Sequence, residues 1–190
     1  MSQQQLALEN IKNIIKIIPT EKVQFQEDLL TITIKASFLK YTLLVLKNHI
    51  NYQFKVLTCI SGADHPSKRY RFKIVYELTS IRYNKRLRIK LQINELLSVD
   101  SCDKLFSASG WHECEIWDMF GVFFKNHTNL KRILTDYGFE GYPLRKDFPL
   151  SGFIEMRYND RQKRVINEST EFCQEYRTFS FLSPWVKMSV

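Results

Sequence analysis

The chain has 190 residues, of which 44% are hydrophobic and 25% charged, and its formal net charge is +8. This is the composition of a globular protein, and it excludes a disordered, collagenous or low-complexity chain. A chain of this length can bury a sizeable apolar core, so one domain without stabilising disulfides is expected. No run of about 18 apolar residues occurs, which excludes a membrane-spanning helix.

The four cysteines stand singly at Cys59, Cys102, Cys114 and Cys173, and no C-x-x-C pair occurs. The histidines are equally dispersed, so the pattern predicts reduced thiols and no local zinc site, iron–sulfur cluster or redox dithiol. The N-terminal letters MSQQQ resemble neither a secretory signal nor a transit peptide. We therefore expect a protein that works in a reducing compartment and, if in an organelle, is processed or made there.

The N-terminal part of the chain predicts a helix, a strand and a second helix. Apolar residues at helical spacing precede Pro19 and predict an amphipathic helix; they are Leu8, Ile11, Ile15 and Ile18. Residues 23–34 alternate in part between apolar and polar side chains and predict a half-buried strand. Ser37 is expected to cap a second helix that runs to about His49, with a buried stripe of Leu39, Leu43, Leu46 and Ile50.

The middle of the chain predicts strands. Residues 54–60 read as a short strand and 61–66 as a loop. Residues 69–78 and 86–93 alternate strictly, and a turn at 82–85 would join them into an antiparallel hairpin. The inward side chains of its first strand would be Tyr70, Phe72, Ile74, Tyr76 and Leu78.

The same hairpin carries most of the charge asymmetry. Between Lys68 and Lys90 there are nine basic residues and one acid, Glu77, which together equal the net charge of the whole chain. Interleaved aromatic and basic residues occur in proteins that bind single-stranded nucleic acid. Here the aromatics and the cations fall on opposite faces, which disfavours a stacking platform. A basic nucleic-acid-binding protein, for example one associated with ribosomes, remains the alternative function.

The last third predicts little regular structure. Residues 100–110 and 111–120 read as two short helices, and the periodicity ends at Gly121. Residues 136–152 hold glycines, prolines and several aromatics, too few periodic positions to fold alone and too many apolar groups to leave in water. We expect this stretch to lie along another protein.

The predicted fold is therefore α+β, with helices packed on a mixed sheet that contains an antiparallel hairpin. Residues 1–120 would form this domain. Residues 121–190 would form a long extended C-terminal arm that docks on partner subunits.

Polar side chains crowd the predicted helix at 111–120. His112 and Glu115 have the spacing of carboxylate-bridged metal sites, but no second matching motif occurs. Glu113 and Glu115 lie two residues apart and point in different directions, which disfavours a hydrolytic pair, and Cys114 has no suitably placed base. Capping contacts and ion pairs with another chain are the favoured role. No glycine-rich phosphate loop occurs.

Two long stretches carry a family resemblance. Residues 113–124 read ECEIWDMFGVFF, and residues 129–152 read NLKRILTDYGFEGYPLRKDFPLSG. Both resemble the signatures of the 30 kDa subunit of proton-pumping NADH:ubiquinone oxidoreductase, respiratory complex I. Shorter matches at 70–76, 157–158 and 175–179 extend the resemblance over most of the chain, and the mitochondrially encoded form of the subunit is most similar.

The resemblance implies a structural subunit without catalytic residues, flavin, cluster or quinone ligand of its own; the FMN and iron–sulfur clusters would lie in other subunits. It implies a place in the peripheral arm of the complex, in its quinone module. The neighbours would be the subunits that hold the quinone pocket and the terminal iron–sulfur cluster. The resemblance therefore implies a location on the matrix side of the mitochondrial inner membrane, as part of the complex.

Within these stretches the charged residues and one proline are the expected partner-binding positions, because buried ion pairs fix the register of an interface. They are Glu113, Glu115, Asp118, His127, Arg132, Asp136, Arg145, Lys146, Asp147 and Pro149.

Five positions depart from the family pattern, among them Thr128 and Asn129, which follow His127 where the family has proline and aspartate. Cys114 stands where the family has arginine, and Tyr142 where histidine is usual. Asn126 stands where the family has glycine before His127. Asparagine tolerates the left-handed conformation, so the turn is expected to survive.

Overall fold

The computed structural model describes residues 16–26, 29–175, 177 and 179. The described residues divide into two compact units, one through Phe148 and one from Pro149. Among them, no helix is long and apolar enough to cross a membrane.

The first predicted helix is described only at its end. Residues 16 and 17 are helical, and Ile18 is buried in the core. The positions Leu8, Ile11 and Ile15 lie outside the described residues.

Residues 23–34 form two strands, where the sequence predicts one. β1 (Lys22–Gln26) and β2 (Leu29–Ile34) pair antiparallel, with Val23 opposite Ile32. Alternation has the same period in both strands, so it does not reveal where the chain reverses. The half-buried strand that the alternation predicts is confirmed in β2, where Ile32 and Ile34 are buried.

The second predicted helix begins with a 3-10 turn, Ala36–Phe38, and continues as α1 (Leu39–Asn48). The three leucines of its predicted stripe are buried. The predicted cap is wrong, since Ser37 lies inside the 3-10 turn and no side chain caps the helix. The fourth stripe position, Ile50, is 73% exposed because the helix ends two residues earlier.

Three longer strands complete the sheet: β3 (Val56–Asp64), β4 (Phe72–Ser80) and β5 (Lys85–Ile93). The order is β1-β2-β5-β4-β3, with β2 and β5 parallel and the other pairs antiparallel. The predicted hairpin and the mixed sheet are confirmed. Asn84, with φ of 46°, supplies the left-handed residue of the hairpin turn.

Two predictions at this sheet are wrong. Residues 61–64 belong to β3 instead of a loop, because they continue the antiparallel pairing with β4. Tyr70 lies before β4 and is 44% exposed, so it is not an inward residue of the strand.

One face of the sheet carries the core. Alternate residues of β4 and β5 are buried there, with the leucines of α1 in the same cluster. Gly62 in β3 allows the ring of Phe120 to lie directly against the strand, because a Cβ atom at residue 62 would lie 2.7 Å from that ring. The α+β fold is thereby confirmed.

The predicted helix at residues 100–110 is wrong. Val99–Asp100 forms β6, which pairs in parallel with β7 (Phe124–Lys125), and only one helix, α2 (Ser109–Phe120), lies between them. The backbone N–H of Cys102 instead donates to the buried carboxylate of Glu113. A side-chain acceptor thus takes a backbone donor that a helix would have used.

In the part of the second unit that the structure describes there is one hairpin, β8 (Ile154–Asn159) and β9 (Arg164–Ser169). No side chain of either strand is fully buried. The described residues 121–148 belong to the first unit. The structural boundary therefore follows Phe148, whereas the sequence-based domains divide at residue 120.

Candidate functional site

Most of the predicted partner-binding residues lie in α2 and in residues 121–148, which we call the loop segment. Apart from β7 the loop segment consists of turns and irregular backbone. Because it lacks a repeating hydrogen-bond pattern, its conformation must be set by individual side chains.

Glu113 fixes the chain before α2. Its side chain is fully buried, and its Oε2 accepts a hydrogen bond from the Ser101 hydroxyl at 2.5 Å. Its Oε1 accepts from both the backbone N–H and the thiol of Cys102, each at 2.9 Å. A buried carboxylate with this many donors is a structural anchor.

His127 joins the loop segment to α2. Its Nδ1 accepts the backbone N–H of Asn129 at 3.0 Å, so the ring proton of the neutral imidazole lies on Nε2. That nitrogen is 3.2 Å from the carbonyl oxygen of Gly110 and 3.8 Å from the Glu113 carboxylate. His127 therefore contacts its own chain and is 5% exposed.

Asp118 holds the next turn of the loop segment. Its Oδ2 accepts the backbone N–H groups of Ile133, Leu134 and Thr135 at 3.1, 2.7 and 3.0 Å, and the Thr135 hydroxyl donates to Oδ1 at 2.6 Å. Burial by itself would raise the pKa of Asp118. The Thr135 hydroxyl and the backbone donors outweigh burial and hold that pKa below its ordinary value.

Arg132 closes the following loop. Its Nη1 donates to the carbonyl oxygens of Phe139 and Gly141, both at 3.1 Å. The guanidinium also lies 5.1 Å from the ring centre of Tyr142. Arg132 thus fixes backbone that no strand or helix supports.

Arg71 connects the sheet to the end of the loop segment. It donates to both carboxylate oxygens of Asp64, at 2.8 and 3.0 Å, and to Asp147 at 2.8 Å. The backbone N–H of Lys146 also reaches Asp64, at 2.9 Å. The Arg71 guanidinium, acting against burial, holds the pKa of Asp64 below its ordinary value, and Arg71 likewise lowers the pKa of Asp147.

Arg145 completes this network. Its Nε donates to the carbonyl oxygen of Phe120 at 2.7 Å, and its Nη1 pairs with Glu95. The guanidinium lies 4.5 Å from the ring centre of Tyr142. Gly121 is required beside it, since its φ is 77° and a Cβ would lie 2.6 Å from the Arg145 Nη2.

While the charged groups described above bind atoms of the chain itself, the loop segment presents apolar side chains to solvent. Phe123 is 51% exposed, Leu134 60%, Leu144 53%, and Tyr137 completely. Single exposed apolar groups are common, but four on one anchored segment are typical of an interaction surface.

The predicted partner-binding residues thus separate into two groups. Glu113, Asp118, His127, Arg132 and Arg145 are engaged within the chain. The other group is exposed and comprises Glu115, Asp136, Lys146, Asp147 and Pro149, of which Asp147 also pairs with Arg71 within the chain. Their contact with a partner stays a prediction.

Sequence reasoning missed Asp64, Arg71 and Glu95. Arg71 is one of the nine basic residues counted between Lys68 and Lys90, but its side chain is 16% exposed and paired. The signal in the sequence was weak. Asp64 ends β3 and Arg71 immediately precedes β4, and their proximity becomes apparent only once β3 and β4 are known to pair.

The departures from the family pattern are accommodated. Asn126 has φ of 59°, so the left-handed turn is confirmed. Tyr142 packs between the guanidinium groups of Arg132 and Arg145. The Cys114 thiol donates to the carbonyl oxygen of Asn129 at 3.5 Å.

The chemical alternatives find no support in the geometry. The His112 Nδ1 lies 3.9 Å from the Glu115 Oε2, an exposed contact with no third donor. Among the described residues no group of three or more histidine, cysteine or acidic side chains could hold a metal ion.

Comparison with known proteins gives one family. The family model of the respiratory-chain NADH dehydrogenase 30 kDa subunit matches residues 32–154. NADH-ubiquinone oxidoreductase subunit 9 of Reclinomonas americana is 50% identical over 180 residues, covering 94% of this chain and 88% of that protein. NADH dehydrogenase (ubiquinone) iron-sulfur protein 3 of Solanum tuberosum is 52% identical over 152 residues, covering 80% of each.

Two solved structures share the fold. The trypsin-resistant fragment of Nqo5 aligns with a TM-score of 0.57 at 21% identity, covering 65% of this chain and 98% of that one. A chain of an archaeal membrane-bound sulfane sulfur reductase aligns with a TM-score of 0.67, also at 21% identity, covering 90% of this chain and 99% of that one.

The Solanum tuberosum relative is named an iron–sulfur protein, and an iron–sulfur cluster needs several cysteine thiolates that converge. The residues of this chain do not fit that group. Cys102 and Cys114 are buried in separate contacts, whereas Cys173 is exposed. Burial also raises the pKa of the Cys102 thiol, which disfavours the thiolate.

Proposed function

The chain belongs to the family of the respiratory-chain NADH dehydrogenase 30 kDa subunit, and from this premise we propose that it is a structural, non-catalytic subunit of complex I. Its place is the quinone module of the peripheral arm. There it supports electron transfer from NADH to ubiquinone by holding other subunits in position.

The observation that carries this proposal is the loop segment. Asp118, Arg132 and Arg145 fix its conformation by binding backbone atoms, and Arg71 pairs with the Asp147 side chain at its end. Its exposed apolar residues are thereby presented in one conformation before any partner arrives. Preorganisation of this kind lowers the ordering cost of association.

The second unit supports the same proposal. On one face of its hairpin, Ile154, Met156, Tyr158 and Val165 are each more than half exposed. A two-stranded hairpin with no covered face is marginally stable in water. A partner surface against this face would supply the missing burial.

The proposed neighbours are the subunits that hold the quinone pocket and the terminal iron–sulfur cluster. These subunits, and not this chain, would carry the FMN and clusters. The proposed location is the matrix side of the mitochondrial inner membrane, with attachment through those neighbours. The relatives' names, which refer to NADH and ubiquinone, support the assignment to complex I.

The test replaces the exposed apolar groups without touching the anchors. Tyr137→Ser with Leu144→Ser should leave folding intact and reduce incorporation into complex I. The matched control is Ile50→Ser with Ile81→Ser, two equally exposed residues outside the loop segment. Incorporation is measured by native electrophoresis of mitochondrial membranes, with an in-gel NADH-oxidation stain and mass spectrometry of the stained band.

Loss of the first variant from the stained band, with the control retained, supports docking through the loop segment. Equal incorporation of both variants would remove the role of the loop segment. Absence of the wild-type chain from the band would overturn the whole proposal.

A further inference from the structure

The second face of the five-stranded sheet is opposite to the core. The register places five cations on it: Lys22, Lys73, Arg86, Arg88 and Lys90. Lys90 lies between Thr33 on β2 and Val75 on β4, and Lys73 is opposite Gln92. We call this side the open face, because both described helices contribute their buried residues to the core on the other side.

The cations of the open face are poorly balanced. Glu77 is the one carboxylate that the described strands place there, and Arg88 donates to it at 2.5 Å. Lys22, Lys73, Arg86 and Lys90 form no ion pair with a described carboxylate. Cations held this close to each other repel one another.

Lys90 shows the consequence. Partial burial, followed by the neighbouring charges of Lys73 and Arg88, lowers the pKa of its amine. The folded sheet therefore holds its cations at an electrostatic cost, and an opposing carboxylate would remove that cost.

The chemistry of the open face distinguishes between anionic partners. Single-stranded nucleic acid needs aromatic side chains beside the cations, but Phe72 and Tyr76 are buried on the core face. Membrane-surface binding by an amphipathic element combines cations with an apolar face that enters the lipid. The centre of the open face instead carries Thr33, Ser61 and Val75 in one row.

We propose that the open face binds an acidic surface of another protein, whose aspartate and glutamate side chains pair with Lys73, Lys90 and Arg86. This inference rests on the proposed function, since the partner would be another subunit of the same complex. The strands hold the cations at fixed spacing, so a partner with matching carboxylates would be selected in both charge and register.

The first test is zero-length carbodiimide coupling of the intact complex, which joins a lysine amine directly to a contacting carboxylate. Mass spectrometry should recover Lys73 and Lys90 in amide linkage to aspartate or glutamate of a different subunit. Linkage of neither lysine to another protein would overturn the inference.

The second test is charge reversal. Lys73→Glu with Lys90→Glu should lower incorporation into complex I about tenfold, since like charges would then face each other. Lys73→Arg with Lys90→Arg, which keeps the charge, should be incorporated normally. The control is Lys40→Glu with Lys55→Glu, an equal charge change at exposed positions away from the open face.

The outcomes separate this inference from the proposed function. Normal incorporation of the charge-reversed chain overturns the acidic partner but leaves the chain a subunit. Absence of the wild-type chain from the complex overturns the proposed function itself. A third outcome would assign the open face to a membrane instead. In it, the full chain sediments with vesicles of equal parts phosphatidylcholine and cardiolipin, charge reversal abolishes the sedimentation, and carbodiimide couples neither lysine to another protein.

Discussion

The sheet and the loop segment of the first unit are held together by different means. The sheet is stabilised by alternate apolar residues of β4 and β5, packed against α1. The loop segment is held by buried or half-buried charged groups, chiefly Asp118, Arg132 and Arg145, that bind backbone atoms.

The difference matters for function. Apolar burial has no direction, so it tolerates small shifts of one element against another. Hydrogen bonds from a carboxylate to three consecutive N–H groups impose one geometry. The loop segment thus keeps a defined shape without burying its exposed apolar side chains, which remain free to contact a partner.

The largest loss of stability is expected when a side chain in the core beneath the sheet is shortened. Leu43→Ala removes a fully buried side chain of α1 and should lower the free energy of unfolding by about 2–5 kcal/mol. Denaturant unfolding of the purified chain measures this loss. A loss no larger than that of Leu44→Ala, a change at a 44% exposed position, would contradict the described core.

The loop segment should respond locally to loss of its anchor. Asp118→Ala leaves three backbone N–H groups without their acceptor, at a cost of roughly 3 kcal/mol. Faster tryptic cleavage at Lys131 should reveal the opened turn. Asp136→Ala, at an exposed carboxylate, is the control and should leave the cleavage rate unchanged.

The junction between α2 and the loop segment depends on one glycine. Gly121→Ala should cost about 1–3 kcal/mol, since its φ of 77° is unfavourable for alanine and the new Cβ would press on Arg145. The same denaturant unfolding measures it. Gly138→Ala has a similar φ of 73° but open space around it, so a cost equal to that of Gly121→Ala would show that the Arg145 contact is unimportant.

Acid should weaken the loop segment more than the sheet. The pKa values of Asp64, Asp118 and Asp147 are lowered in the folded chain. Their stabilising effect is complete above the ordinary aspartate pKa of about 4 and is lost as the pH falls through the lowered values. Unfolding measured between neutral pH and pH ~3 should therefore depend less on pH in Asp118→Asn than in the wild type. Identical pH profiles would contradict this.

The smallest effect is expected on the open face. Lys90→Gln removes a cation whose amine pKa is lowered, so the free chain should gain a few tenths of a kcal/mol, and salt should reduce the gain. Lys40→Gln, at an exposed position of α1, should change little. A loss of stability in Lys90→Gln would show that its charge already has a partner within the chain.

The contrast also explains what sequence reasoning could predict. Strict alternation in residues 69–78 and 86–93 predicted the hairpin, because period 2 is a local property of the chain. The reversal within residues 23–34 has no local signal of that kind. The same is true of residues 100–110, where contact with Glu113 decides the structure.

The candidate site was located by its composition and by its family resemblance, but its contacts were not predictable. The backbone N–H of Lys146 reaches a carboxylate 82 residues earlier in the chain, at Asp64. No periodicity connects such positions. The same charged residues that suggested an interface are, in Arg132 and Arg145, used inside the chain.

The parallel pairing of β2 with β5 has a consequence for biosynthesis. The ribosome delivers β1 and β2 early, yet the partner of Ile34 is Leu91. Until Leu91 has left the exit tunnel, the β1–β2 hairpin has no third strand, and a hairpin of two strands is marginally stable alone. The nascent chain therefore exposes the edge of β2 while the residues between Ile34 and Leu91 are translated, and this interval is when a chaperone that shields strand edges would be needed.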